Sequence, residues 1–147
     1  MGSICTFFGH HDCPPSIKPK LRSVLTELIE QQSVNTFYVG NKGAFDRIVR
    51  SVLRELAQEY PQIAYAVVLE RMPGKRNGHD PEDGSDTMLP EGMETVLPRF
   101  AIVRRNEWML RQADFVVCYI THSQGGAAKF AEEAKRRKKT LINLAEH

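Results

Sequence analysis

Two short stretches carry most of the polar chemistry in this chain. Gly40-Asn41-Lys42-Gly43-Ala44-Phe45-Asp46 and Thr121-His122-Ser123-Gln124-Gly125-Gly126 each follow a short apolar run and precede a helical pattern. A strand, a glycine turn and a helix N-terminus leave backbone N–H groups and a positive dipole end facing an anion. The candidate ligand contacts in these turns are Gly40, Gly43, Ser123, Gly125 and Gly126. Two readings stand for the glycines: a phosphate cradle, or a tight turn that needs their φ freedom. Lys42 is either a phosphate partner or a solvated loop lysine. Asp46, in a first helical turn, either complements the helix dipole or contacts a ribose hydroxyl or a substrate amine. Gly9-His10 ends a third apolar run, and Arg105-Asn106 lies just before a fourth, where it can face the same cleft. His10, His11, Asp12 and Cys13 are metal-ligand types. Adjacent residues rarely converge on one ion, however, and no second ligand group stands at matching spacing. No metal and no cofactor is expected.

The elements that must position these residues follow from the apolar pattern. Ser3 to Phe8 reads as the first strand, with Gly9 to Pro15 as a loop and Ser16 as an N-cap. Leu21, Val24, Leu25, Leu28 and Ile29 then repeat at helical spacing to about Gln32. Thr36 to Val39 is the second strand, followed by a helix with Phe45, Ile48, Val49, Val52, Leu53 and Leu56 on its apolar face. Ile63 to Leu69 is the third strand. From Glu70 to Pro98 the chain turns rich in Gly, Pro, Asp and Glu, which predicts a long loop or lid. Its His79, Asp80, Glu82, Asp83 and Asp86 lack EF-hand spacing and read as solvated. Pro98 opens a helix to about Gln112, Asp114 to Ile120 is a strand buried on both faces, and a helix from about Ala127 to Arg137 precedes a last strand over 139–144. The basic run Lys135 to Lys139 falls at a helix C-terminus, where cations complement the dipole.

Strands alternating with helices predict an α/β fold: a Rossmann-like domain over 1–147 with an open, mainly parallel five-stranded sheet and helices on both faces. Such sheets bind ligands at the C-terminal strand ends, near the point where strand order reverses. The candidate residues all fall there. The 147-residue length suits one domain, and 41% hydrophobic and 26% charged residues are those of a soluble globular protein. A net charge of +2 does not by itself argue for nucleic acid. No apolar run is long enough to span a bilayer and no signal peptide is visible. Three cysteines without a CxxC spacing argue against a disulfide framework or a zinc site, so a cytoplasmic location is expected.

Phe8-Gly9-His10, Thr36 to Gly40 with Gly43 to Asp46, Arg105-Asn106 with Trp108-Met109, Asp114, and Gly125-Gly126-Ala127 occur in an ordered series. In this the chain resembles the SLOG superfamily, the Rossmann-like domains related to DprA and to the LOG phosphoribohydrolases, and within it the bacterial YpsA-like group. The resemblance implies a sensor or processing domain for a nucleotide-derived small molecule, often a homo-oligomer. The LOG branch further implies a nucleoside 5′-monophosphate N-glycosidase with Arg105 and Glu132 as its catalytic pair. The DprA branch implies nucleic-acid binding, the least favoured of the three. The chain departs from the LOG turn, Pro-Gly-Gly-x-Gly-Thr: Gln124-Gly-Gly-Ala-Ala-Lys129 lacks the third glycine and the threonine hydroxyl.

Overall fold

A computed structural model describes residues 2–71 and 86–146. The chain alternates β1 (Ser3–Gly9), α1 (Lys18–Gln32), β2 (Val34–Val39), α2 (Gly43–Glu59) and β3 (Ala64–Val68). It continues through β4 (Asp86–Met88), α3 (Pro98–Gln112), β5 (Phe115–Tyr119), α4 (Gly126–Arg136) and β6 (Thr140–Asn143). The strands form one sheet in the order β4-β3-β2-β1-β5-β6, and every pairing is parallel.

The α/β class with helices on both faces is therefore as expected, but the sheet has six strands instead of five. The extra one is β4, three residues among those described, inside the stretch read as a loop from Glu70 to Pro98. Asp-Thr-Met carries no apolar alternation; it is a strand because β3 offers it a parallel edge, pairing Ala66 with Asp86 and Val68 with Met88. The same stretch holds a 3-10 turn at Met93–Thr95. His79, Asp80, Glu82 and Asp83 lie outside the described residues. Ser16 does not cap α1 either. It sits within a 3-10 turn, Pro15–Ile17, that leads into the helix without a side-chain cap.

Phe7 and Phe8 show how the sheet divides the core, because successive strand residues point to opposite faces. Phe7 stacks on Phe37 and packs with Leu21, Leu25, Val49 and Leu53 of α1 and α2. Phe8 packs on the other face with Met109, Leu110 and Ala134 of α3 and α4, and its ring stacks on Phe130. Asp114 ties the two central strands at their start: its backbone N–H donates to the Ile4 carbonyl at 2.8 Å, and its Oδ2 accepts the Ile4 N–H at 3.0 Å. After β1 the chain builds outward on one side through β2, β3 and β4, then returns to place β5 on the other flank of β1. Strand order thus reverses between β1 and β5, where Gly9 is level with Tyr119. Among the described residues no helix is long and apolar enough to cross a membrane.

Candidate functional site

A cavity of about 370 Å3 opens at that reversal point. Gly9 and His10 from the end of β1, Lys42 and Asp46 from the start of α2, Arg105 and Asn106 from α3, and Gly125 and Gly126 from the start of α4 all line it. Four separated segments meet because parallel strands bring their C-terminal ends to one rim. Gly40 and Gly43 shape the site from behind. A Cβ on Gly40 would lie 2.6 Å from Asp46 Oδ2 and 3.0 Å from Arg105 Cζ, so only glycine lets the strand end approach that pair. Gly43 has φ +87° and lies against the His11 ring.

Arg105 is almost wholly buried, at 3% exposure, and is held by a polar network. Its Nε donates to Asn106 Oδ1 at 3.1 Å, and its Nη1 donates to Asn41 Oδ1 at 2.7 Å and to Glu70 Oε2 at 3.4 Å. Glu70, also buried, lies 3.5 Å from Lys42 Nζ through its other oxygen. A guanidinium only donates, so both asparagine amides must turn their carbonyl oxygens toward it and their NH2 groups away. Burial lowers the Arg105 pKa, and Asp46 and Glu70 oppose that shift. Asp46 accepts the Lys42 backbone N–H at 3.1 Å. Burial pushes its carboxyl up from 3.8 to about 6, against the pull of Arg105, the Lys42 N–H, Arg50 and His11. Desolvation therefore wins over pairing at Asp46.

The turn into α4 lines the cavity with His122, Gln124 and two glycines. Gly125 has φ +95°, a conformation that L side chains rarely adopt, and no atom lies within 4 Å of a Cβ built on Gly125 or Gly126. The N-terminal turn of α4 is thus open to a ligand on the side of the cavity.

Ser123 and Glu132 are not brought into this cavity. Both line an adjoining groove of about 530 Å3, with Lys135 and Asn143. Ala128, Ala131 and Ala134 take the buried face of α4, which turns the Glu132 side chain outward to 72% exposure and a 3.7 Å contact with Lys135 Nζ. Arg105 and Glu132 therefore do not share a chamber. The basic run is also largely engaged: Arg136 and Arg137 pair with Glu133, and Lys139 Nζ donates to the Ala113 carbonyl at 2.7 Å. Among the described residues no group of three or more His, Cys, Asp or Glu side chains is placed to hold a metal ion.

Sequence reasoning missed three residues of the site: Glu70, Asn41 and His122. Glu70 follows β3 and reads as the first charge of a loop, so its only signal was position at a C-terminal strand end. Asn41 sits inside the first glycine turn and His122 inside the second. The His122 ring stacks on His10, centroids 3.9 Å apart, and lines both the cavity and the adjoining groove.

No family model matches the chain, and no curated protein matches it. Among solved structures it is similar to DNA processing protein A (DprA) from Streptococcus pneumoniae, with a TM-score of 0.65 and 13% identity over 95% of this chain and 49% of that one. It is also similar to DNA processing protein A from Helicobacter pylori, a structure describing that protein's single-stranded DNA binding mode, with a TM-score of 0.63 and 15% identity over 95% of this chain and 63% of that one. The chain thus spans less than two thirds of either relative. The likeness establishes a DprA-like, Rossmann-like fold.

Proposed function

We propose that this SLOG-like domain binds a nucleotide-derived small molecule in the cavity between β1 and β5, as a sensor or processing domain of YpsA-like type. The ligand's phosphate lies over Gly125–Gly126, and its ribose or base meets Asp46 and Asn106. The observation that carries this reading is the open α4 N-terminus facing a carboxyl and an amide across one cavity. Backbone N–H groups and the helix dipole suit phosphate, while the carboxyl and the outward amide supply an acceptor and a donor for hydroxyl or base edges. Gly9 and His10 complete the rim. Arg105, already paired with Glu70 and bonded to Asn41 and Asn106, holds the asparagine amides in orientation and is not a free phosphate fork. Leu97, Phe100 and Val103 are exposed on and beside α3, which supports association of copies through that helix.

The test is a thermal-shift panel of purine and pyrimidine mononucleotides, ADP-ribose and NAD on the wild type and Gly126→Asp. A ligand at about 100 times its Kd adds about 2.7 kcal/mol, a rise of several degrees. A shift for one ligand class that is lost in Gly126→Asp supports the site. No shift for any ligand with folded protein refutes it.

A second reading is favoured by the H. pylori relative: binding of a single nucleic-acid strand. Its support here is weaker because Glu132, Glu133 and the Ala113 carbonyl engage most of the basic run. Oligonucleotide affinity falling steeply with salt would favour it. The N-glycosidase reading, with Arg105 orienting the ligand and Glu132 supplying the carboxylate, has least support, since Glu132 lines the neighbouring groove. Release of free base, lost in Glu132→Ala, would restore it.

A further inference from the structure

His10 and His122 form a parallel stack on the rim of the cavity, centroids 3.9 Å apart and planes 7° apart. Each ring also accepts a backbone N–H from the segment that leads into α4. Thr121 N donates to His10 Nε2 at 3.2 Å, and Gln124 N donates to His122 Nδ1 at 3.3 Å. A nitrogen that accepts an N–H must carry a lone pair, so the ring protons sit on His10 Nδ1 and His122 Nε2 and both rings are neutral. The stack thereby fixes residues 121–124, which with Ile120 join β5 to the open Gly125–Gly126 turn.

We infer that the His10–His122 stack is a pH-sensitive latch on the ligand site: the turn that opens α4 keeps its anion-binding form only while both imidazoles are neutral. The inference rests on the phosphate reading of the cavity given above. An imidazolium has N–H on both nitrogens and no acceptor. Protonating His10 sets an N–H against the Thr121 N–H, protonating His122 does the same at Gln124, and charging both places two cations face to face. Ordinary histidines strengthen anion binding when they gain a proton; here acidification weakens it. The surrounding charges are His11 and Asp12 beside His10, Lys42 and Asp46 from the turn and helix after β2, Arg105 from α3, and, in the groove that His122 also lines, Glu132 and Lys135 of α4. Burial and the His122 ring hold the His10 pKa below its ordinary 6.5; Asp12 pulls it up and His11 adds to the depression. Neutral His10 is thus the resident form at pH 7, and the stability it brings is lost as the pH falls below 6.5.

The test uses sulfate as the anion, because its charge does not change between pH 5.5 and 7.5 as a nucleotide phosphate's does. NMR on the full chain reads the histidine tautomers, the exchange protection of the Thr121 and Gln124 amides, and the sulfate Kd from the Gly125 and Gly126 amide shifts. The expected result is Nδ1–H on His10 and Nε2–H on His122 at pH 7.5. Both amides should lose protection at pH 5.5, and the Kd should rise about threefold or more. The pair His10→Gln with His122→Asn keeps an acceptor near each lone pair and cannot titrate, so its Kd should stay flat. A Kd that falls on acidification, or the opposite tautomers, overturns the latch while leaving the anion site standing. No sulfate response at either pH overturns the anion site, and the inference with it.

Discussion

Replacing Asp46 by asparagine tests whether burial or pairing governs the floor of the cavity. The carboxyl has Arg105 and the Lys42 N–H in its favour, yet its pKa rises from 3.8 to about 6 because burial dominates. A folded-state pKa above the unfolded value means that the folded protein retains a proton the unfolded chain gives up. Stability therefore falls as pH rises through the window from 3.8 to about 6, and the full cost is present above it. The gap corresponds to about 3 kcal/mol at neutral pH. Asparagine keeps an oxygen for the Lys42 N–H and carries no charge to desolvate. Asp46→Asn should then match the wild type near pH 3.8 and exceed it by about 3 kcal/mol at pH 7.5, or roughly 6–12 °C in Tm for a chain of this size. Urea unfolding at both pH values measures this directly. The ligand affinity should fall at the same time, since the carboxylate acceptor is gone. A variant less stable than wild type at pH 7.5 would refute the reasoning and show that the pairing with Arg105 outweighs burial.

Four further predictions concern the same site. Glu70→Gln removes the charge that Arg105 Nη1 and Lys42 Nζ share, leaving a buried guanidinium underpaired, and should cost about 3 kcal/mol by chemical denaturation. Gly40→Ala drives a Cβ to 2.6 Å from Asp46 Oδ2 and should cost about 1–3 kcal/mol while displacing the Asp46–Arg105 pair, seen as a lower Tm and lost nucleotide binding. Gly125→Ala forces a side chain to φ +95° and should cost about 1–3 kcal/mol. By contrast, Gly126→Ala meets open space and should change stability by no more than about 0.5 kcal/mol. A weakened ligand in Gly126→Ala with an unchanged Tm would locate the phosphate at that turn.

The parts of this fold that could be read from the chain alone are those whose cause is local. Phe7-Phe8, Phe37 and Val116-Val117 announce buried strands by their own composition, and Gly40 and Gly125 announce the breaks after them. β4 could not be read because Asp-Thr-Met owes its extended form to the edge of β3 and not to its own residues. Glu70 was hidden for a related reason: Arg105, which makes sense of it, lies 35 positions later in the chain. The Arg105–Glu132 pairing rested on the resemblance to the LOG branch, and whether two such residues meet depends on the phase of each helix. The phase of α4, fixed by Ala128, Ala131 and Ala134, turns Glu132 to the outside. Small alanines gave little apolar signal from which to read that phase.

Among the described residues the sheet is flanked by its shortest strands, β4 over Asp86–Met88 and β6 with four residues. An open parallel sheet always leaves two rows of backbone groups that another chain can zip onto, and long flat edges invite fibrils. On the β6 flank the ledge holds only four residues for a neighbour to pair with. On the β6 side the chain turns at once into a 3-10 coil at Leu144–Glu146, with the Ala145 N–H returned to Asn143 Oδ1. On that flank, strand length itself limits pairing with another chain. Grafting a few alternating β-branched residues onto β6 would lengthen the ledge that a neighbour could use.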